Sequence, residues 1–333
     1  MIKTSSQKRQ SLSEVKKEHF RALDSEWQSY LNSKTHEADR AYVQKVPCPV
    51  CGGNQFNELF AKQGFHFIRC FDCTHVFINP QLKSDILAEH FRTSLAWNIW
   101  ANRVLNHPEQ MSFDKAKYEK FIELIDPYFQ SMNEKHVLDI GCSSGIFLRL
   151  MEERGWKVTG LELSAQAADL ARERFGLSVF NQSLVNFEST QKFDLITFWA
   201  SLEYHQDLKT VLGKAASLLK ENGIILALIS GSSHSFAMRV LREKCAGFIF
   251  NRVQCFNPDS LNQLFESFGL QNIYQTSLIP ELDPVLRYLE GGDPYETSFD
   301  SKLLAGEDRE KFESIILKNM MGYKFLSLFK RQA

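Results

Sequence analysis

The chain has 333 residues, 44% hydrophobic and 24% charged, enough for a large core and more consistent with two domains than with one. A formal net charge of −1 gives no bulk attraction to nucleic acid or to an anionic membrane, and no stretch approaches the ~18 apolar residues of a spanning helix. The cationic start, Met1 to Lys8, has no apolar segment behind it, so no secretory leader is expected, and the chain is read as cytoplasmic.

Residues 1–45 are polar, with Phe20, Leu23, Trp27, Tyr30 and Leu31 spaced along one face of an expected helix within residues 13–33, packed on the body or on a second subunit. Residues 46–80 follow a different rule. Cys48-Pro-Val-Cys51, eighteen residues, then Cys70-Phe-Asp-Cys73 is the spacing of a four-thiolate zinc ribbon, each pair offering two ligands from a tight turn. Four sulfurs fill a tetrahedral ion and leave no place for water, so a zinc here is structural. His66 and His75 are then surface or packing residues. The ribbon carries only Lys62 and Arg69 as cations, against Glu58 and Asp72, too few for a nucleic-acid reader, so it is read as scaffold or lid.

Residues 81–130 have helical spacing: Leu82, Ile86, Leu87 and Phe91; Trp97, Trp100 and Val104; Tyr118, Phe121, Ile122 and Ile125, with Pro127 closing the last helix. They form a helical connector or lid, whose Trp97 and Trp100 are either core aromatics or the wall of a substrate pocket. From residue 131 to 333 strands and helices alternate, which predicts a mostly parallel sheet covered on both faces. Expected strands are 136–140, 157–161, 177–180, 193–198, 223–229, 272–278 and 323–329. Expected helices cover 164–175, 208–219, a segment opened by Pro258, and a segment near 309–317. Glu290-Gly-Gly-Asp-Pro294 is the clearest late loop.

The first of these strands, Val137-Leu-Asp139-Ile140, runs into Gly141-Cys142-Ser143-Ser144-Gly145 and then into a helix. Such a junction offers unpaired N–H groups to a ligand above the strand end. The glycines do not make G-x-G-x-x-G, and Asp139 would repel a pyrophosphate, so a dinucleotide is disfavoured. Glu162 ends the second strand, where a carboxylate can accept two ribose hydroxyls. Acid, small-residue turn and acid suit an adenosine ligand that carries positive charge, which is S-adenosylmethionine.

These residues resemble the class I S-adenosylmethionine-dependent methyltransferases, nearest to the ubiquinone-biosynthesis O-methyltransferase-like branch with an N-terminal zinc ribbon; the resemblance spans about Val46 to Arg331. It implies a Rossmann-like α/β seven-stranded sheet with an antiparallel last strand. It further implies that Gly141, Cys142, Ser143 and Gly145 face the methionine part of the cofactor, with Asp139 as the acid before the turn. Glu162 and Leu163 would lie at the ribose, Ser183 and Leu184 at the adenine, and Trp199 and Ala200 beside the ligand at the end of the fourth strand. Ser143 stands where relatives carry glycine, a change expected to be tolerated if the backbone there is not at positive φ. After Leu202-Glu203 relatives carry His, where this chain has Tyr204 and then His205; Arg252 replaces a second substrate-side His.

Methyl transfer from a sulfonium is an in-line displacement that depends on alignment, and an oxygen acceptor must also lose a proton. His205 is the leading base, with Glu203, Tyr204 and His234 as rivals. The expected function is methylation of a small molecule of sugar, lipid-linked or secondary-metabolite type. The alternatives are an RNA methyltransferase that reads through its ribbon, or a non-catalytic cofactor-binding module.

Overall fold

The computed structural model describes residues 11–130, 134–296 and 301–331; the first ten residues, on which the leader expectation rests, lie outside them. In chain order the N-terminal part comprises α1 (Leu12–Glu26), β1 (Val43–Gln44), β2 (Phe56–Lys62), β3 (Phe65–Cys70), β4 (Val76–Ile78), β5 (Gln81–Leu82), α2 (Ser84–Thr93), α3 (Leu95–Ile99) and α4 (Pro108–Ile125). There follow β6 (His136–Ile140), α5 (Ile146–Glu152), β7 (Lys157–Leu161), α6 (Ala165–Phe175), β8 (Val179–Phe180), β9 (Phe193–Trp199), α7 (Leu208–Leu218) and β10 (Leu219–Ser230). The chain ends with α8 (Phe236–Leu241), β11 (Gln254–Cys255), α9 (Pro258–Glu266), β12 (Leu270–Leu278), α10 (Leu282–Leu289), α11 (Gly306–Lys318) and β13 (Lys324–Arg331).

The large sheet has the order β12-β13-β10-β9-β6-β7-β8, with β13 antiparallel to both neighbours and β10, β9, β6, β7 and β8 parallel. Its strands are apolar on both faces because both are covered. Val137, Leu195, Leu226 and Leu328 pack under α4, α5 and α6. Their alternates Leu138, Ile196, Ile225 and Phe329 pack under α7 and α9, where Phe265 stacks on Phe329 at 3.8 Å. This is the expected α/β methyltransferase architecture.

The same second face receives the ribbon. Cys48, Val50, Ile68 and Phe77 share one core with the large sheet, and the ribbon's other side, through Phe65, Phe67 and Ile78, packs on Met238, Phe248 and Phe250. Its antiparallel sheet has the order β11-β4-β3-β2, so its edge is completed by residues from far down the chain: Gln254 pairs with Phe77 and Cys255 with Val76. The ribbon is therefore built into the body.

Three expectations shift. The first helix ends at Glu26, and Trp27–Tyr30 is a 3₁₀ turn; the buried face is Val15, His19 and Leu23, while Phe20 stays half exposed. Leu82 belongs to β5, not to a helix. Helices α8 and α10 had no counterpart in the sequence reading; Pro284 inside α10 and the brevity of α8 mask their periodicity.

Candidate functional site

Between β6 and α5 the backbone is left-handed three times, at Gly141 (φ 78°), Ser143 (φ 54°) and Gly145 (φ 79°). The condition under which serine would replace glycine without cost is thus not met: Ser143 sits at positive φ and is strained. The two glycines serve different ends. A methyl group on Gly141 would come within 2.8 Å of Ser201 Cβ, whereas one on Gly145 would meet Leu177 at 2.6 Å and Ala171 at 2.9 Å, below the turn.

Glu162 holds this turn to the next loop. One carboxylate oxygen accepts the Ser143 N–H at 2.9 Å and the other the Ser164 N–H at 2.8 Å. Burial pushes the Glu162 carboxyl up, and these N–H groups oppose the rise. Asn181 secures the same corner by donating to the Glu162 and Leu163 carbonyls at 2.8 and 2.9 Å.

The turn opens into a cavity of 1870 Å³. Ligand pockets commonly measure roughly 300–1,000 Å³, so this one has room for a cofactor and a second molecule. Its wall includes Gly141, Cys142, Ser143, Glu162, Leu163, Ser183, Leu184, Trp199 and Ala200 from the sequence-derived cofactor set. Asp139 and Gly145 are not on it. Asp139 lies under the turn, 1% exposed, where one oxygen accepts the Thr197 hydroxyl at 2.7 Å and the other has no hydrogen-bond partner among the described residues; burial pushes its carboxyl up to about 7. Ala200 is also left-handed (φ 52°). Trp199 is enclosed by Tyr118, Phe121 and Phe147 at 5.0–5.3 Å between ring centres, and its indole N–H has no hydrogen-bond partner among the described residues.

Of the catalytic candidates, Tyr204 and His205 line the cavity. The Tyr204 ring packs edge-on against Phe91 and Trp97 at 5.7 and 5.8 Å, so the helical connector does supply wall aromatics. Burial alone pushes the His205 imidazole down to about 4. Glu203 is turned off the wall: it is fully buried, accepts the Ser230 N–H at 2.6 Å, and burial raises its carboxyl. His234 faces a separate small pocket with Arg69 and Asp259, which removes it from the rivals for this cavity. Residues that sequence reasoning missed complete the wall: Phe20 and Leu23 of α1, Glu281 before α10, and Tyr323 and Lys324 at β13. They come from opposite ends of the chain, and no local pattern marks them.

The four cysteines converge, each Sγ within 4.8 Å of the others, with Cys48–Cys73 at 3.4 Å and Cys51–Cys70 at 3.5 Å. A tetrahedral zinc with Zn–S near 2.3 Å sets sulfurs roughly 3.8 Å apart, so the donor set and its spacing fit that ion. His66 stays outside, between Glu37 and Glu58 at 2.9 and 3.1 Å. His75, next to the second knuckle, is buried; its ring lies 2.9 Å from the Gln254 side-chain oxygen and 3.3 Å from the Ser260 hydroxyl. The Gln254 amide N–H in turn donates to the His205 carbonyl at 3.0 Å, a continuous link from the ribbon to the candidate catalytic loop.

Residues 110–275 match the family model described as a methyltransferase domain. Among curated proteins, a ubiquinone biosynthesis O-methyltransferase of Coxiella burnetii is 25% identical over 204 residues, covering 49% of this chain and 85% of that protein. A namesake from Histophilus somni is 30% identical over 132 residues, covering 36% and 56%. Among solved structures, magnesium protoporphyrin IX methyltransferase from Synechocystis PCC 6803 with bound SAH aligns with TM-score 0.50 at 11% identity, over 75% of this chain and 100% of that one. The 1,6-didemethyltoxoflavin-N1-methyltransferase of Burkholderia thailandensis, bound to 1,6-didemethyltoxoflavin and S-adenosylhomocysteine, aligns with TM-score 0.50 at 12% identity, over 80% and 99%. Among the described residues no helix is long and apolar enough to cross a membrane. With the sheet order and the glycine-turn cavity, these matches identify the chain as an enzyme carrying an S-adenosylmethionine-dependent methyltransferase domain.

Proposed function

We propose that the enzyme methylates an oxygen of a small molecule held in the same cavity as the cofactor. The observation that carries this reading is the cavity itself: one continuous, partly open space with aromatic walls runs from Gly141 and Glu162 to Tyr204 and His205, larger than the cofactor needs. In this reading Gly141, Cys142 and Ser143 receive the methionine part, Glu162 and Leu163 the ribose, Ser183 and Leu184 the adenine, and Trp199 and Ala200 the flank of the sulfonium. Asp139 and Gly145 act from beneath, Asp139 as a buried counter-charge and Gly145 by letting α6 approach the turn. Oxygen is favoured by the O-methyltransferases among the relatives.

His205 is assigned the acceptor's proton. Held near 4 by burial, it is unprotonated throughout the neutral range, and its imidazole can accept a proton as the methyl moves. The ribbon is assigned one structural zinc on Cys48, Cys51, Cys70 and Cys73, which fixes the ribbon and, through His75 and Gln254, the His205 loop.

The test is mass spectrometry of the purified chain for S-adenosylmethionine or S-adenosylhomocysteine, followed by transfer of labelled methyl to an acceptor panel at varied pH. His205→Ala is expected to lower kcat about 100-fold while leaving S-adenosylhomocysteine affinity within two-fold. Wild-type kcat is expected to stay flat from pH 5.5 to 8; an acidic limb near 7 that vanishes in Glu281→Gln would pass the role to Glu281, which burial pushes up to about 7, and one that vanishes only in Asp139→Asn would report the counter-charge instead. A bound nicotinamide dinucleotide would overturn the cofactor assignment.

A further inference from the structure

The chain as a whole balances 39 basic against 40 acidic residues, yet the cavity wall carries eight lysine and arginine side chains against four carboxylates. Positive charge is concentrated where a ligand would lie. Its most deeply set member is Arg252, 9% exposed, the residue that replaces a substrate-side His in the resemblance to the methyltransferases. One Nη donates to the Gly247 carbonyl at 2.8 Å and the guanidinium also hydrogen-bonds Tyr323, but among the described residues Nε has no hydrogen-bond partner and the side chain makes no ion pair. The arm is held in place: a methyl group on Gly231 (φ 80°) would come within 2.6 Å of that Nη, and the guanidinium lies over the Tyr204 ring at 5.9 Å. Burial works against its charge, but a guanidinium keeps its proton in proteins, and the Glu203 carboxyl behind the wall favours the charged form.

Lys324, also on the wall, makes no ion pair among the described residues; burial first, then Lys117 and Arg252, push its ammonium down. Lys117 itself is bridged to Asp114 at 2.7 Å. Glu281 completes the bay, placed by a strained segment in which Ile279 (φ 58°) and Glu281 (φ 50°) are both left-handed, and one of its carboxylate oxygens is buried without a partner. A β-branched residue in that conformation is an outlier, and such strain gathers at binding sites. A buried cation left unpaired is costly, and an anion that enters the bay recovers that cost.

We propose that the methyl acceptor bears a carboxylate and that Arg252, with Lys324 beside it, receives this group. The inference rests on the cavity being the acceptor site. Against the two cations stand the Glu281 carboxyl on the same wall and, behind it, the Glu203 carboxyl, so an incoming anion also meets two acidic groups. These repel a phosphate dianion more than a carboxylate monoanion. Tyr204, Tyr323 and the tryptophan walls suit an aromatic body on the acid.

The experiment titrates the full-length chain, saturated with S-adenosylhomocysteine, with 2-naphthoate, its neutral isostere 2-naphthamide, and 2-naphthyl phosphate by calorimetry. The naphthoate is expected to bind at least ten-fold tighter than the amide and tighter than the phosphate. Arg252→Gln is expected to abolish the preference and Lys324→Met to reduce it several-fold, each leaving S-adenosylhomocysteine affinity within two-fold. Equal binding of acid and amide by the wild-type chain, stronger binding of the phosphate, or a preference that survives in both variants overturns the proposal. Should Arg252→Gln fail to fold, an undiminished preference in Lys324→Met does so alone. Failure of S-adenosylhomocysteine to bind at all strikes the cofactor assignment instead, and this inference falls with it.

Discussion

Ser143 in the turn and Asp139 beneath it show how single positions trade stability for a site. Ser143 holds a left-handed backbone (φ 54°) that costs a non-glycine residue roughly 1–2 kcal/mol, partly offset because glycine loses more entropy on folding. Ser143→Gly is therefore expected to raise unfolding free energy by about 0.5–1 kcal/mol in urea melts with the Glu162 contact kept; an unchanged or lowered midpoint would remove the strain. Asp139 has a carboxyl raised from 3.8 to about 7 in the folded protein. Stability from the neutral buried acid is fully present below about pH 4 and is lost as pH climbs through 7. Asp139→Asn keeps an acceptor for the Thr197 hydroxyl and is expected to flatten that decline, on the order of a few kcal/mol between pH 5 and 8. Glu162 and Glu281 slope the same way, so part of the decline persists; identical pH curves for variant and parent would refute the assignment.

At the scale of elements, legibility followed packing. Strands β6, β9 and β10 stood out because burial on both faces leaves short apolar runs, and α6 and α9 open near the expected positions, α6 behind its cap Ser164 and α9 at Pro258 behind its cap Asn257. The cysteine spacing likewise placed four thiols that converge. What the sequence could not announce was β11, two residues long, or the polar chain His75–Gln254–His205, whose members are separated by up to 179 residues. That chain predicts a kinetic effect of metal removal. Zinc is expected at one per chain by elemental analysis, and its chelation, or Gln254→Ala, is expected to lower kcat several-fold more than it weakens S-adenosylhomocysteine binding. A fully active, metal-free chain would sever the ribbon from the His205 loop.

The molecule as a whole makes its cavity from parts that no local reading could unite: α1 near the start, the connector aromatics, the turn after β6, the loop after β9 and Lys324 at the end. Phe20, half exposed on α1 yet lining the cavity, has little to do for the core. Phe20→Ala is expected to change stability by less than about 0.5 kcal/mol while S-adenosylhomocysteine dissociates several-fold faster in stopped flow; an unchanged off-rate would show that α1 does not restrain the ligand.

The pairing of Cys255 with Val76 also has a consequence for the order of events at the ribosome. The ribbon emerges early, but strand β4 waits for its outer neighbour until some 180 further residues have been made. Through that interval its backbone N–H and C=O groups form an open edge, the kind that recruits other chains. The four-stranded ribbon sheet is therefore complete only once Gln254 and Cys255 have been made and brought to its edge.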